Sequence, residues 1–265
     1  MEKEMSVVFI DKPKGPTSFD IVEMVSRMME VGKAGHTGTL DPNATGVMVI
    51  ALGEARKAMP VLTGLDKEYE GTIKLHDDIK REKIEKALNS FRGKITQLPP
   101  VRSAVARKER ERTVHEIEIL EFGERALRLR ILCEAGTYIR KIAHDLGEAI
   151  GCGAHLTELR RTKVGPFVIG ECVTLETLEK KRYPSLSLED ALHRISLPEI
   201  TIKNGFEEQV RNGSPIRKEF IKGEKGTKKG KYAAVFSEKG KIVCLATYLG
   251  EESITAKTER VFLEV

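Results

Sequence analysis

Asp41 is the residue whose setting most suggests chemistry. It sits in Gly35-His36-Thr37-Gly38-Thr39-Leu40-Asp41-Pro42-Asn43-Ala44-Thr45-Gly46, where three glycines allow close backbone approach and His36, Thr37, Thr39 and Asn43 add polar groups. An Asp before Pro commonly opens a turn and bonds its own backbone. The glycines and polar neighbours favour a functional loop instead, because long stretches without periodicity between a helix and a core strand usually carry function. Neither G-x-x-x-x-G-K-[ST] nor G-x-G-x-x-G occurs, which disfavours a nucleotide-binding fold. Arg140 is a second candidate. On a helix opening near Thr137 it lies about 100° from Ile139, at the edge of an apolar stripe and beside the small residues Ala143 and Gly147. It is either a solvated helix arginine or a partly buried one in need of a carboxylate. Tyr69, one of five tyrosines, lies on a strand two residues from Lys67, as a half-exposed aromatic or as part of a site.

Three basic clusters follow: Arg107–Arg112, Arg160-Arg161-Thr162-Lys163, and Arg217–Lys231 with seven basic and two acidic residues. A charge run is ordinarily a solvated face. Here the positive charge concentrates near one core helix and in the C-terminal part, which favours RNA or DNA backbone contact. The four cysteines (Cys133, Cys152, Cys172, Cys244) form no C-x-x-C pair and the six histidines no H-E-x-x-H, so no metal site is expected and the thiols read as reduced.

These residues need elements to position them. Ser6–Ile10 reads as a strand and Asp11–Pro16 as a loop, with Thr17 or Ser18 capping a helix that carries Ile21, Val25 and Met28. Gly32–Gly46 reads as loop and Val47–Leu52 as a buried strand. Helices are expected at Glu54–Leu62, Glu82–Phe91 and Thr137–Ile150, and strands at Lys67–Leu75, Arg102–Ala106, His115–Phe122 and Ala126–Glu134. After two short helices (Thr174–Lys181, Leu188–Ile195) come short strands at Ile200–Ile202, Tyr232–Phe236, Ile242–Tyr248 and Val261–Leu263. The pattern is α+β: a mixed, largely antiparallel sheet with flanking helices in residues 1–182, a linker over 183–198, and a small β-rich domain in 199–265. At 265 residues, 40% hydrophobic and 32% charged, the chain has ample core. No apolar stretch approaches the ~20 residues of a membrane span, and the mixed-charge N-terminus is unlike a secretory signal, so a soluble cytoplasmic protein is expected.

Taken in order, Asp11-Lys12-Pro13-Lys14-Gly15-Pro16-Thr17-Ser18 and Gly35–Gly46 resemble the first two motifs of the TruB/dyskerin family of RNA pseudouridine synthases. Lys67-Glu68-Tyr69 and Ala135–Lys141 resemble the next two, and Gly153–Phe167 the last signature of its catalytic domain. Leu75-His76-Asp77-Asp78, leading straight into a helix, and Gln97–Val105, running on to Arg112–Ile117, are similar to the archaeal and eukaryotic guide-RNA (H/ACA) branch. Val210–Ile216 is similar to the compact PUA-like tail of stand-alone TruB enzymes.

The resemblance implies a pseudouridine synthase fold with a PUA-like C-terminal domain, and isomerisation of uridine to pseudouridine without metal or organic cofactor. It makes Asp41 the essential carboxylate, acting on the flipped nucleotide's ribose as nucleophile at C1′ or as base at C2′. Arg140 would stabilise its charged form. Tyr69 would stack on the base and help remove the C5 proton, and Leu159 would pack against the base. Lys12, His36 and Lys67 would contact substrate or order the loop. Arg160, Arg161, Lys163, Arg217, Lys218, Lys228, Lys229 and Lys231 would hold RNA by shape and phosphates. The implied substrate is uridine 55 of tRNA, modified by the protein alone, or rRNA and tRNA uridines selected by an H/ACA guide RNA with small protein partners. A non-catalytic RNA-binding or folding factor is the different-class alternative, against which the intact Asp41, Tyr69 and Arg140 set argues.

Overall fold

The computed structural model describes residues 5–98, 108–180 and 185–263. β1 (Ser6–Lys12) is almost wholly buried and stops at Pro13. Thr17 then caps α1 (Ser18–Met28), its hydroxyl accepting from the Asp20 amide while the Asp20 carboxylate accepts from the Thr17 amide. The 32–46 stretch, expected to be loop throughout, contains the three-residue strand β2 (Ala34–His36), which pairs with β3 (Thr45–Leu52). Where one helix was expected over 54–62, a 3-10 turn (Gly53–Ala58) precedes α2 (Met59–Leu62), because Pro60 suits only a helix start.

β4 (Lys67–Leu75), α3 (Arg81–Leu88), β5 (Gly93–Gln97), β6 (Arg110–Gly123) and β7 (Ala126–Cys133) follow. The strand expected at Arg102–Ala106 lies outside the described residues. α4 (Ile139–Ile150) opens at Tyr138 rather than Thr137, whose hydroxyl donates instead to the Glu134 carbonyl. Gly151 at φ 72° ends the helix. The next stretch is β8 (Ala154–Val164), a long strand the sequence reading did not anticipate, with β9 (Phe167–Val168) beside it. α5 (Leu175–Glu179), β10 (Leu186–Ser187) and α6 (Leu188–Arg194) complete this part.

The large sheet runs β10-β1-β3-β8-β4-β7-β6-β5, with β2 on β3 and β9 on β8. β3 and β8 are parallel and the other pairings antiparallel, the mixed, largely antiparallel sheet expected. α3 and α4 cover one face through a core of Ile73, Leu75, Ile84, Leu88, Leu129, Ile142 and Leu146. α4 comes so close to β8 that a β-carbon on Gly147 would lie 2.2 Å from the Ala154 nitrogen.

The C-terminal part holds β11 (Glu199–Ile202), α7 (Glu207–Arg211), β12 (Ile221–Lys225), β13 (Tyr232–Phe236), β14 (Ile242–Tyr248) and β15 (Ala256–Val261). Its strands form a second sheet, β12-β11-β13-β14-β15. Leu188, Ala191 and Leu192 of α6 share one buried cluster with Val7 and Phe9 of the large sheet and with Ala234, Phe236 and Leu245 of the small one. Apolar burial therefore joins the two sheets through this helix.

Candidate active site

Three adjacent strands line up one residue each: Gly46 on β3 faces Arg161 on β8, and Arg161 faces Tyr69 on β4. This row underlies the loop between β2 and β3, which carries Asp41. The Asp41 carbonyl closes a turn by accepting from the Ala44 amide at 2.9 Å. Its carboxylate does not bond that turn but points to Arg140, on the first turn of α4. Arg140 Nε lies 3.0 Å from Asp41 Oδ2 and Nη2 3.2 Å from Oδ1, a two-pronged pair with both side chains about half exposed. Such a pair adds under about 1 kcal/mol to stability. What it supplies is orientation of an accessible carboxylate.

The rest of the loop is held from below. The Ser18 hydroxyl donates to the Leu40 carbonyl at 2.9 Å and accepts from the Leu40 amide at 2.8 Å. Lys12, fully buried, donates to the Pro13, Pro42 and Ala44 carbonyls at 2.9, 3.3 and 2.9 Å. Arg161, 1% exposed, donates from Nε to the Val47 carbonyl at 2.7 Å and from Nη2 to the Gly38 carbonyl at 3.0 Å. Lys67, also buried, donates to the Thr63 and Leu65 carbonyls at 2.7 and 2.5 Å. Three cations are thus taken out of water and satisfied by main-chain oxygens, at a desolvation cost of several kcal/mol each. Burial lowers the Lys12 pKa, Arg161 lowers it further, and Asp41 opposes the shift. Burial and then Arg161 bring Lys67 down to about 8.

His36 accepts from the Gly38 amide at Nδ1, 3.2 Å away, and burial together with Arg161 pushes its pKa down, keeping that nitrogen an acceptor. Tyr69 is buried in the same cluster as Leu40 and Ala44, on either side of Asp41. Burial pushes its phenol pKa up, while Arg161 opposes, so the proton stays on the oxygen at neutral pH.

Two family descriptions together match residues 26–199. The TruB family pseudouridylate synthase N-terminal domain matches residues 26–82 and 76–139, and the tRNA pseudouridylate synthase B C-terminal domain matches 140–199. The chain belongs to the TruB family of pseudouridine synthases. Among curated TruB-family relatives, a probable tRNA pseudouridine synthase B from Methanopyrus kandleri is 39% identical over 97% of this chain and 82% of its own length. One of the same description from Methanosarcina barkeri is 40% identical over 92% and 75%. Among solved structures, a chain of a Cbf5-Nop10-Gar1 complex superimposes with a TM-score of 0.89 at 34% identity, covering 99% of this chain and 86% of that one. A chain of an H/ACA RNP bound to a substrate RNA containing 2′-deoxyuridine gives 0.87 at 32%, covering 100% and 87%.

Several TruB-family residues sit differently from expectation. Tyr69 is 9% exposed, not half exposed. Lys12 and Lys67 are buried and bond main-chain carbonyls, Lys12 those of the Asp41 loop and Lys67 those of Thr63 and Leu65, which is the backbone-ordering side of the expectation. Arg161, expected on an RNA-contacting surface beside a helix, is interior and on a strand. Arg160 donates two hydrogen bonds to the Asp11 carboxylate (3.0 and 2.7 Å) and Lys163 donates one to the buried Glu68 at 3.0 Å, while both side chains stay more than 40% exposed. Leu159 is half-buried against the main core. Arg217, Lys218, Lys228, Lys229 and Lys231 are exposed on the small sheet's connections, far along the chain from Asp41. The sequence reading missed Ser18 as the residue that bonds Leu40. Its signal was its place in the Thr17-Ser18 start of α1.

Proposed function

We propose that the chain isomerises uridine to pseudouridine in RNA with Asp41 as its essential carboxylate. The observation that carries this reading is the Asp41–Arg140 pair, an oriented, accessible carboxylate on a loop anchored by Ser18, Lys12 and Arg161. The target uridine leaves its stack so that the glycosidic bond becomes reachable. Asp41 then attacks C1′ or takes the C2′ proton, the N1–C1′ bond breaks, and the uracil turns and rejoins through C5. The C5 proton is lost and N1 regains one. Arg140 holds Asp41 for the first step. The Tyr69 ring, packed with Leu40 and Ala44 of the Asp41 loop, stacks on the base and helps remove the C5 proton, and Leu159 supplies apolar contact to the base. His36 orders the loop through Gly38 and lies close to the incoming nucleotide.

We divide the chain into a catalytic unit (1–182), a linker (183–198) and a PUA-like RNA-binding unit (199–265), the last using Arg217, Lys218, Lys228, Lys229 and Lys231 to hold RNA phosphates. The names of the curated relatives support tRNA as the substrate. A second reading, catalysis inside an H/ACA particle with a guide RNA and small proteins, is supported by the whole-chain superposition on proteins solved in such complexes. Pseudouridine mapping on an unmodified tRNA transcript tests both. Conversion of uridine 55 by the protein alone supports the first; conversion only with a guide RNA and partner proteins supports the second. Asp41→Asn abolishes product in either case while RNA affinity holds. An active Asp41→Asn protein would sink the mechanism.

A further inference from the structure

Phe19 is the most exposed large apolar side chain among the described residues, at 72%. It lies on the first turn of α1, next to Ser18, whose hydroxyl bonds both the amide and the carbonyl of Leu40, the residue before Asp41. The connection into α1 is tied to the same turn, since the Gly15 amide donates to the Pro42 carbonyl at 2.9 Å. Side chains on a helix lean toward its N-terminus, so Phe19 leans past the start of α1, about 100° around the helix from Ser18. Ile21 and Val25 turn the core face of α1 inward, and Phe19 lies outside that face. The surroundings are open and of mixed charge. Lys14 is exposed on the adjoining loop and the helix N-terminus carries a partial positive charge, while Asp20 and Glu23 supply carboxylates on α1.

We propose that Phe19 is a positioning residue for RNA: its ring stacks on an unpaired base beside the uridine delivered to Asp41. This rests on the reading of the chain as an RNA pseudouridine synthase. Extruding a nucleotide leaves its neighbours without a stacking partner, and an exposed aromatic ring next to the residues that hold the Asp41 loop restores one. Holding a solvent-exposed phenyl there has no folding benefit, because it leaves apolar surface in water. Stacking accepts any base, so Phe19 contributes grip and register rather than sequence choice.

The chain contains no tryptophan, so Phe19→Trp places a single indole reporter at this position. With Asp41→Asn in the same protein, its fluorescence is read against oligouridylate and against an abasic oligomer of equal length and charge. Quenching by oligouridylate alone is the expected result. Equal quenching by both, or none, overturns stacking. This readout does not depend on turnover, so it separates failure of the stacking idea from failure of the proposed reaction. In the active background, pseudouridine formation on the tRNA transcript is measured, with guide RNA and partner proteins if those are needed. Phe19→Ala and Phe19→Leu should lower kcat/KM about tenfold, mainly through KM, while Phe19→Trp keeps it. Wild-type kinetics in Phe19→Ala, or full rescue by leucine, would show that no ring stacks there.

Discussion

Gly46 and Arg161 meet across the parallel seam between β3 and β8, where a β-carbon on Gly46 would lie 2.1 Å from the Arg161 carbonyl oxygen. Gly46 also holds φ at +107°, a conformation that side chains resist. Gly46→Ala should therefore cost about 3 kcal/mol or more and loosen the anchor of the Asp41 loop. Gly38→Ala makes the control. Its β-carbon would meet only the Arg161 guanidinium at 3.5 Å and Lys67 Cε at 3.6 Å, ordinary contacts, so the cost should stay under about 1 kcal/mol. Denaturant unfolding of the two variants measures the contrast.

Arg140 separates orientation from stability. Because its pair with Asp41 is half exposed, Arg140→Ala should change unfolding free energy by less than about 1 kcal/mol. The same change removes both bonds that aim the carboxylate, and single-turnover product formation should fall by about a hundredfold or more. Arg140→Lys keeps the charge but not the planar fork, and should recover only part of the rate. A lysine variant with full rate would show that charge alone is needed.

Part of this site can be read from the sequence by local rules. Thr17 and Asp20 have the spacing of a capping box, whereas helix spacing left Arg140 either solvated or paired, and only the family resemblance joined it to Asp41. The long-range part cannot be read that way. Arg161 bonds a carbonyl 114 positions away, and Lys12 one that is 32 away. Nothing local distinguishes such cations from surface ones. β8 escaped for the same reason. Its run His155-Leu156-Thr157-Glu158-Leu159-Arg160-Arg161-Thr162-Lys163 is polar enough to pass for surface, yet it is paired on both sides by β3 and β4. Polar groups on a central strand are tolerated only because Arg160, Arg161 and Lys163 each find partners within the fold.

Lys67 offers a test of the buried charge. Its pKa falls from 10.5 to about 8, through burial first and Arg161 second. Between those values the unfolded chain holds the proton and the folded one does not, so this group makes stability rise with pH from about 8 to 10.5. Below 8 both states are charged and the penalty is constant, on the order of 3 kcal/mol at about 1.4 kcal/mol per unit. Lys67→Met should lack the rise, and the difference between the two proteins' stability–pH curves isolates it from tyrosine and thiol titration. Nitrogen NMR of the lysine side chains should show one ammonium titrating near 8 in the wild type. A Lys67 signal that titrates with the exposed lysines would refute the burial argument.

His36 gives the acid-side counterpart. Burial and then Arg161 hold its folded pKa below the ordinary 6.5, and the neutral ring accepts the Gly38 amide at Nδ1. Above 6.5 neither state is protonated and the bond is intact. As pH drops below 6.5 the unfolded chain takes up a proton before the folded one does, so stability declines until folded His36 is protonated as well. At that point the Gly38 contact turns from hydrogen bond to donor–donor clash, and the loop carrying Asp41 loses one of its supports. Activity should fall with it, in a limb that steepens below the lowered pKa. His36→Asn keeps an acceptor at the same reach but does not titrate. In that variant the His36 share of the acid limb should vanish from both the stability curve and the rate profile, while activity at pH 8 stays within about threefold of wild type. An unaltered acid limb would assign the titration to another group.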